Sequence, residues 1–217
     1  MIQAVIFDMD GVLVDNHESW SIFDTNFLAE LGIKSDKEYK AFVNGRSMEE
    51  VALWTKEHYQ LSQNVEDILV SKQSGVKHVY EVESKPMFGV EDLLKKIKKS
   101  NLKLALCSGA KMWMIETILD RFNWQDYFEV VVSSDHVECQ GKPDPEIYLY
   151  TSKLLNIDPK SCVVIEDAEN GVKSAIGAGM ECVGYVDLRF ELSEDLSRTK
   201  FNVNSFSDKK LIEFLNI

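Results

Sequence analysis

Five short runs of apolar and β-branched residues punctuate the chain: QAVIF (3–7), LKLALC (102–107), FEVVVSS (128–134), SCVVIED (161–167) and ECVGYV (181–186). Their hydrophobicity is nearly continuous rather than alternating, as expected of strands buried on both faces. Stretches of helical periodicity stand among them: VEDLLKKIKKS (90–100), KMWMIETILDRF (111–122), PEIYLYTSKLLN (145–156) and EDAENGVKSAIGAG (166–179). Buried strands alternating with amphipathic helices predict an α/β fold, a doubly wound, Rossmann-like parallel sheet covered on both faces.

Residues 16–84 break that rhythm. HESWSIFDTNFLAELG, SMEEVALWTKEHYQL and NVEDILVSKQSGVKHVYEVE carry helical periodicity only. The α/β pattern restarts after Lys85-Pro86, where the proline disfavours helix at the residue before it. The pattern therefore predicts a helical insertion over 16–85 in a core made of residues 1–15 and 86–217. Its two connections are expected near 14–17 and 83–87.

Composition narrows the class. A chain of 217 residues can bury roughly 70% of the surface its unfolded form exposes. With 45% hydrophobic and 28% charged residues it reads as an ordinary globular protein. The net charge of −12 opposes approach to nucleic acid or an anionic membrane. An anionic substrate would need local positive charge to overcome that field. Cys107, Cys139, Cys162 and Cys182 have no ligand-like pairing and read as buried free thiols in a reducing compartment. The N-terminus lacks a signal-peptide pattern, and no run approaches the ~18 apolar residues of a membrane span. A cytoplasmic location is expected.

Acids stand at the ends of two of the apolar runs. Asp8 closes the first, Asp10 follows two residues on, and Gly11 permits backbone geometry closed to other residues. Ligand chemistry in open α/β sheets lies beyond the carboxyl ends of the strands. There one carboxylate can attack as a nucleophile while the other shuttles a proton; alternatively, both acids merely solvate a loop. Glu166 and Asp167 end SCVVIED in the same way. Converging carboxylates suit a hard divalent cation, Mg²⁺ above all, though acids also favour the start of the following helix. Ser108 ends LALCS and could cradle phosphate with the Gly109 amide or serve as an N-cap. Lys142, on the proline-stiffened GKPDPEIY loop, can act as a point charge on phosphate and neighbouring carboxylates; Asp144 and Pro145 suit the start of the next helix. This loop is not a P-loop, since proline follows Gly141-Lys142. GAGMEC (177–182) follows a helix and is read as its end, not as a dinucleotide fingerprint.

With nucleophile-type acids, a hydroxyl, a lysine and metal-type acids in this order, the sequence resembles the haloacid dehalogenase superfamily of aspartate-nucleophile phosphatases. Within it, the resemblance is to the group containing beta-phosphoglucomutase. FDMDGVLVD, LALCSGA, GKPDPEIY and VVIEDAENGVKSAIGAGM carry the match. The resemblance implies that the insertion is a helical cap whose closure excludes bulk water. It implies that Asp8 is the nucleophile, forming an aspartyl-phosphate, and that Asp10 is the proton donor and acceptor. Ser108, Lys142 and Gly109 would hold the phosphoryl oxygens. Mg²⁺ would be bound by Asp8, the Asp10 main-chain carbonyl and Asp167, with Glu166 as a ligand or just behind one. Dehalogenases of the superfamily lack the second acid, so Asp10 favours phosphoryl transfer.

In the cap the match departs. Asn44 and Met48 stand where mutases of the group carry lysine and arginine, and Trp20 stands in place of a histidine. Hydrolysis of a small phosphorylated metabolite, such as a sugar phosphate, is therefore expected over mutase action. Asn16, His17, Trp20 and Arg46 are the cap residues expected to face substrate. No nucleic-acid or membrane partner is expected, and the chain is read as a monomer or weak homo-oligomer. A phospho-accepting signalling domain also gathers acids, a hydroxyl and lysine around Mg²⁺. Its acids come in a different chain order, however, and it has no cap. Asp15 is assigned to capping the first insertion segment or bracing the connection.

Overall fold

The first apolar run forms the centre of a six-stranded parallel sheet in the computed structural model, which describes residues 1–34, 37–43, 46–138, 141–190 and 194–217. Asn44 and Cys139 lie outside the described residues. The chain opens with β1 (Ala4–Phe7) and β2 (Val14–Asp15). It continues through α1 (His17–Glu30), α2 (Lys37–Val43), α3 (Met48–His58) and α4 (Val65–His78), which ends in a π-helical turn over Val79–Glu83. Then come β3 (Lys85–Pro86), α5 (Val90–Lys99), β4 (Lys103–Cys107), α6 (Met112–Phe122) and β5 (Val130–Val132). The chain closes with α7 (Glu146–Leu155), β6 (Cys162–Glu166), α8 (Glu169–Gly177), β7 (Glu181–Tyr185), β8 (Phe201–Val203) and α9 (Lys209–Leu215). It divides into two compact units, Met1–Asp15 with Lys85–Ile217, and Asn16–Ser84.

In the first unit the strand order is β5-β4-β1-β6-β7-β8, and each pairing is parallel. Connections from β1 through β4 to β5 step one way across the sheet; those from β5 through β6 to β7 step back. Because parallel crossovers are right-handed, α5 and α6 fall on one face and α7 and α8 on the other. Alternate strand residues face opposite ways. Ala4 and Ile6, Ala105 and Cys107, and Cys162 and Val164 pack with Ile147, Tyr148 and Leu155 of α7 and with Val172 and Ala175 of α8. Continuing that parity by one step brings Asp8 and Glu166 to the α7–α8 side. Cys107, Cys162 and Cys182 are buried free thiols.

The five apolar runs are the strands β1, β4, β5, β6 and β7, and the four core helices lie within a few residues of their periodic stretches. The glycines of GAGMEC end α8, with Gly179 at φ +79°. Other elements carried no readable pattern. β8 is three residues long with an exposed Asn202 at its centre, and is a strand because its backbone pairs with β7. β2 and β3 form a two-residue antiparallel ribbon, Val14 opposite Pro86 and Asp15 opposite Lys85. Neither α2 nor α9, of seven residues each, has the length over which periodicity declares itself.

The second unit has its own core, built from Phe27 and Leu28 of α1, Tyr39 of α2, Val51 and Ala52 of α3 and Ile68 of α4. Ser47 and Glu50 make a reciprocal capping box at the start of α3, and the Asn64 side chain accepts from the Asp67 N–H at the start of α4. A buried lysine lies inside. The Lys72 ammonium donates to the Tyr39 hydroxyl at 3.0 Å, lies 3.7 Å from Asp24, and sits 5.2, 5.1 and 5.6 Å from the ring centres of Phe23, Phe27 and Tyr39. Burial lowers the Lys72 pKa against the pull of Asp24. Among the described residues no helix is long and apolar enough to cross a membrane.

α1 and α4 approach closely at Gly75, where an added Cβ would overlap the Phe23 ring. Alanine normally stabilises a helix interior by about 1 kcal/mol relative to glycine. Gly75→Ala is expected to reverse that sign and cost about 1–3 kcal/mol, as overpacking does. Denaturant unfolding of the two proteins makes the comparison, and a gain in stability would refute this packing.

Candidate active site

Asp8 extends the β1–β6 ladder by one residue, its N–H donating to the Ile165 carbonyl at 3.1 Å. Beyond it the chain curls tightly, with the Met9 carbonyl accepting from the N–H groups of Val12, Leu13 and Val14. Asp10 is half-buried in this curl and bridges to Val14. Gly11 has φ +76°, and a Cβ there would overlap the Asp167 carboxylate. The glycine thus serves two ends: it makes the turn and leaves room for an acid from the neighbouring strand.

Lys142 lies among these acids. Its Nζ donates to Asp8 Oδ1 and to Glu166 Oε1, each at 2.6 Å. Glu166 is itself fully engaged. Oε1 also accepts from the Tyr148 hydroxyl at 2.9 Å, while Oε2 accepts from the N–H groups of Asp167 and Ala168 at 3.0 and 3.2 Å. Its carboxylate occupies the space that a Cβ on Gly171 would fill. Glu166 therefore satisfies the amides just ahead of α8 while it holds the lysine.

One oxygen from each of Asp8, Glu166 and Asp167 lies within 4.8 Å of the others. At that separation two like charges repel by roughly 3–4 kcal/mol at an effective dielectric of about 20. Burial pushes the Asp8 carboxyl up to about 8; Lys142 opposes the shift, and Glu166 and Asp10 add to it. Burial, then Glu166 and Asp8, hold Asp167 well above the usual carboxylate range. Burial disfavours the Lys142 ammonium, but Asp8 and Glu166 outweigh it and raise its pKa. With all three carboxyls ionised, one ammonium leaves two negative charges uncompensated. That balance and the all-oxygen donor set fit one hard divalent cation on Asp8 and Asp167.

Ser108 follows β4 and is buried, its N–H donating to the Val132 carbonyl and its hydroxyl accepting from Ala110 N–H at 3.1 Å. It is not an N-cap. α6 begins after Lys111, and the Asp135 carboxylate accepts from the Met112 N–H at 2.8 Å in the capping role. Gly109 is exposed, with nothing near its missing Cβ. α7 starts one residue later than Asp144 suggested, with Pro145 at the N-cap and Asp144 accepting from the Glu146 N–H. Asp15 does not hold the N-cap of α1, which is Asn16; it stands in β2 opposite Lys85, the bracing alternative, and Arg189 pairs with it at 2.8 Å and also with Asp187. Asn16 holds the N-cap position of α1 and His17 is its first residue. Trp20 packs edge-on against Phe23 and Tyr80. Arg46 lies over the Phe42 ring at 5.0 Å and pairs with Glu50 at 3.6 Å.

The core thus brings Asp8, Lys142, Glu166 and Asp167 into direct contact or near it, with Ser108 ending the adjacent strand β4. Sequence reasoning missed Tyr148, Gly171 and Asp135. Tyr148 reads as one more apolar-face residue of α7, and only its hydroxyl could have signalled a buried acceptor.

A family model described as haloacid dehalogenase-like hydrolase matches residues 5–185. The phosphorylated carbohydrates phosphatase of Thermotoga maritima is 32% identical over 180 residues, 83% of each chain. The beta-phosphoglucomutase of Bacillus subtilis is 27% identical over 190 residues, 84% of this chain and 83% of that one. The crystal structure of CbbY from Rhodobacter sphaeroides in complex with phosphate superposes with a TM-score of 0.81 at 25% identity, covering 100% of both chains.

A carboxyl whose pKa is raised on folding stabilises fully below its unfolded pKa of about 4. It loses that contribution as pH rises through the folded value, about 8 for Asp8. In EDTA the protein is expected to lose stability between about pH 5 and about pH 8 relative to Asp167→Asn, by roughly 1–3 kcal/mol. Added Mg²⁺ should restore wild type more at the higher pH and leave the variant nearly unchanged. Thermal melts across pH, with and without the ion, check this; a pH-independent difference contradicts the electrostatic account.

Proposed function

The chain belongs to the haloacid dehalogenase-like hydrolase family, and from that membership we propose that it is a Mg²⁺-dependent phosphatase of phosphorylated carbohydrates or similar small metabolites. The observation that carries the reading is the 2.6 Å contact between Lys142 and Asp8 at the end of the central strand, with Asp167 alongside. Its composition supports an enzyme site: a carboxylate that could attack, a cation beside it, and a second acid two residues away. The likeness to a phosphorylated carbohydrates phosphatase supports the substrate class.

In the proposed reaction an Asp8 oxygen attacks phosphorus, the bond to the leaving oxygen breaks, and Asp10 gives that oxygen its proton. Asp10 then takes a proton from water, which attacks the same phosphorus, and the bond to Asp8 breaks to release phosphate. Lys142, the Ser108 hydroxyl and the Gly109 N–H would bind the phosphoryl oxygens, so positioning and charge neutralisation supply most of the acceleration. Asp8, Asp167 and the Asp10 main-chain carbonyl would hold Mg²⁺, which when bound neutralises charge on the carboxylates and the phosphoryl group. Glu166, with four donors on its two oxygens, is assigned to holding Lys142. The helical unit is assigned the role of a cap, with Asn16, His17 and Arg46 selecting the substrate. A cytoplasmic location accords with the free thiols.

A sugar-phosphate phosphomutase is the second reading, favoured by the likeness to beta-phosphoglucomutase. It would interconvert isomers without net phosphate release.

On a panel of sugar phosphates, phosphate release is expected to need Mg²⁺, to vanish with EDTA and to be abolished in Asp8→Asn. Asp10→Asn is expected to retain substrate binding and lose at least ~100-fold in kcat, the scale of general acid–base catalysis. A colorimetric phosphate assay reads both. Robust turnover by Asp8→Asn would sink the mechanism.

A further inference from the structure

Tyr148 is fully buried, and its hydroxyl ends on the same Glu166 oxygen that accepts from Lys142. The other Glu166 oxygen is tied to two backbone amides. The carboxylate is thereby fixed both in place and in rotation, and the lysine it holds reaches Asp8 at 2.6 Å. The Tyr148 ring also flanks the ammonium, 5.0 Å from its centre. We infer that Tyr148 is a positioning residue for catalysis: by sharing Oε1 of Glu166, its hydroxyl tempers the pull of Glu166 on Lys142 and keeps the ammonium aimed at Asp8 and the phosphoryl group.

The physical reason lies in the competition for one oxygen. A carboxylate oxygen that serves two donors binds each less strongly than an oxygen serving one, and Glu166, with a side chain only 1% exposed, has little solvent to make up the difference. Without the phenol, Oε1 keeps only Lys142, and the ammonium shifts from Asp8 towards Glu166. The Asp8 carboxylate then loses its nearest counter-charge, and the phosphoryl oxygens lose the cation meant to meet them. Phenylalanine retains the ring beside the ammonium and the packing of α7, removing the hydroxyl alone.

This inference rests on the phosphoryl-transfer reading, and its test separates the two. In Tyr148→Phe, kcat for Mg²⁺-dependent phosphate release is expected to fall roughly tenfold with KM within about twofold, the effect of one hydrogen bond to a charged group. Tyr150→Phe, on the same helix but stacked on His136, should match wild type. Independently of turnover, the Lys142 ammonium is followed by proton–nitrogen correlation in the metal-free protein, assigned by its loss in Lys142→Gln. Its signal should shift or broaden in Tyr148→Phe and stay in place in Tyr150→Phe. An unmoved signal and unchanged kcat, with only a lower melting temperature, overturn the proposal and leave the hydroxyl a packing contact. A moved signal in a protein whose wild type releases no phosphate upholds the hold on Lys142 while refuting the phosphatase reading.

Discussion

The site depends on an electrostatic imbalance that the fold creates and only partly relieves. Strand parity delivers Asp8 and Glu166 to the same side of two adjacent buried strands, and Asp167 joins them within 4.8 Å. Lys142 supplies one positive charge where three carboxyl groups meet, too little to let all three ionise without cost. An apolar replacement would remove the repulsion at a stroke, as buried ionic groups are often no aid to stability. Keeping the acids makes sense if the missing positive charge arrives from outside, and a cation together with a phosphoryl group at Lys142 is the arrangement that would use them.

The surrounding residues serve that imbalance in layers. Two glycines, Gly11 and Gly171, leave volume for Asp167 and Glu166, so the acids approach more closely than ordinary side-chain packing permits. The amides ahead of α8 and the Tyr148 hydroxyl hold Glu166, and Glu166 holds Lys142. The Asp135 carboxylate starts α6 from outside the helix, tying the Met112 end of the turn after Ser108 to the loop after β5. Each layer fixes the next, which is how a rigid sheet lends precision to residues that stand on its loops.

The helical unit shows another solution to buried charge. Lys72 and Asp24 lie close to each other and to the Tyr39 hydroxyl, and aromatic rings surround the ammonium. There cation and anion balance one for one, and among the described residues no buried side-chain nitrogen or oxygen lacks a hydrogen-bond partner. Balanced charge of this kind calls for no ligand. The contrast with the core site is one of stoichiometry rather than burial.

By itself the sequence determined the parallel sheet, its helices, the interruption by a helical segment and the acids at strand ends. These features are local: periodicity reports burial, and a charged residue after an apolar run marks where a strand leaves the core. Asp8, Asp10, Ser108, Glu166 and Asp167 could be singled out because they stand at or just past such a boundary, and Lys142 because two prolines stiffen the loop that carries it. The tertiary structure alone decided which of them touch. Lys142 reaches Asp8 across 134 positions of sequence, and the short strands β2, β3 and β8 exist only because distant backbones meet them. Tyr148, Gly11 and Gly171 acquire their roles in the same way. A buried hydroxyl or a missing Cβ has no meaning until a carboxylate from elsewhere in the chain comes to lie against it.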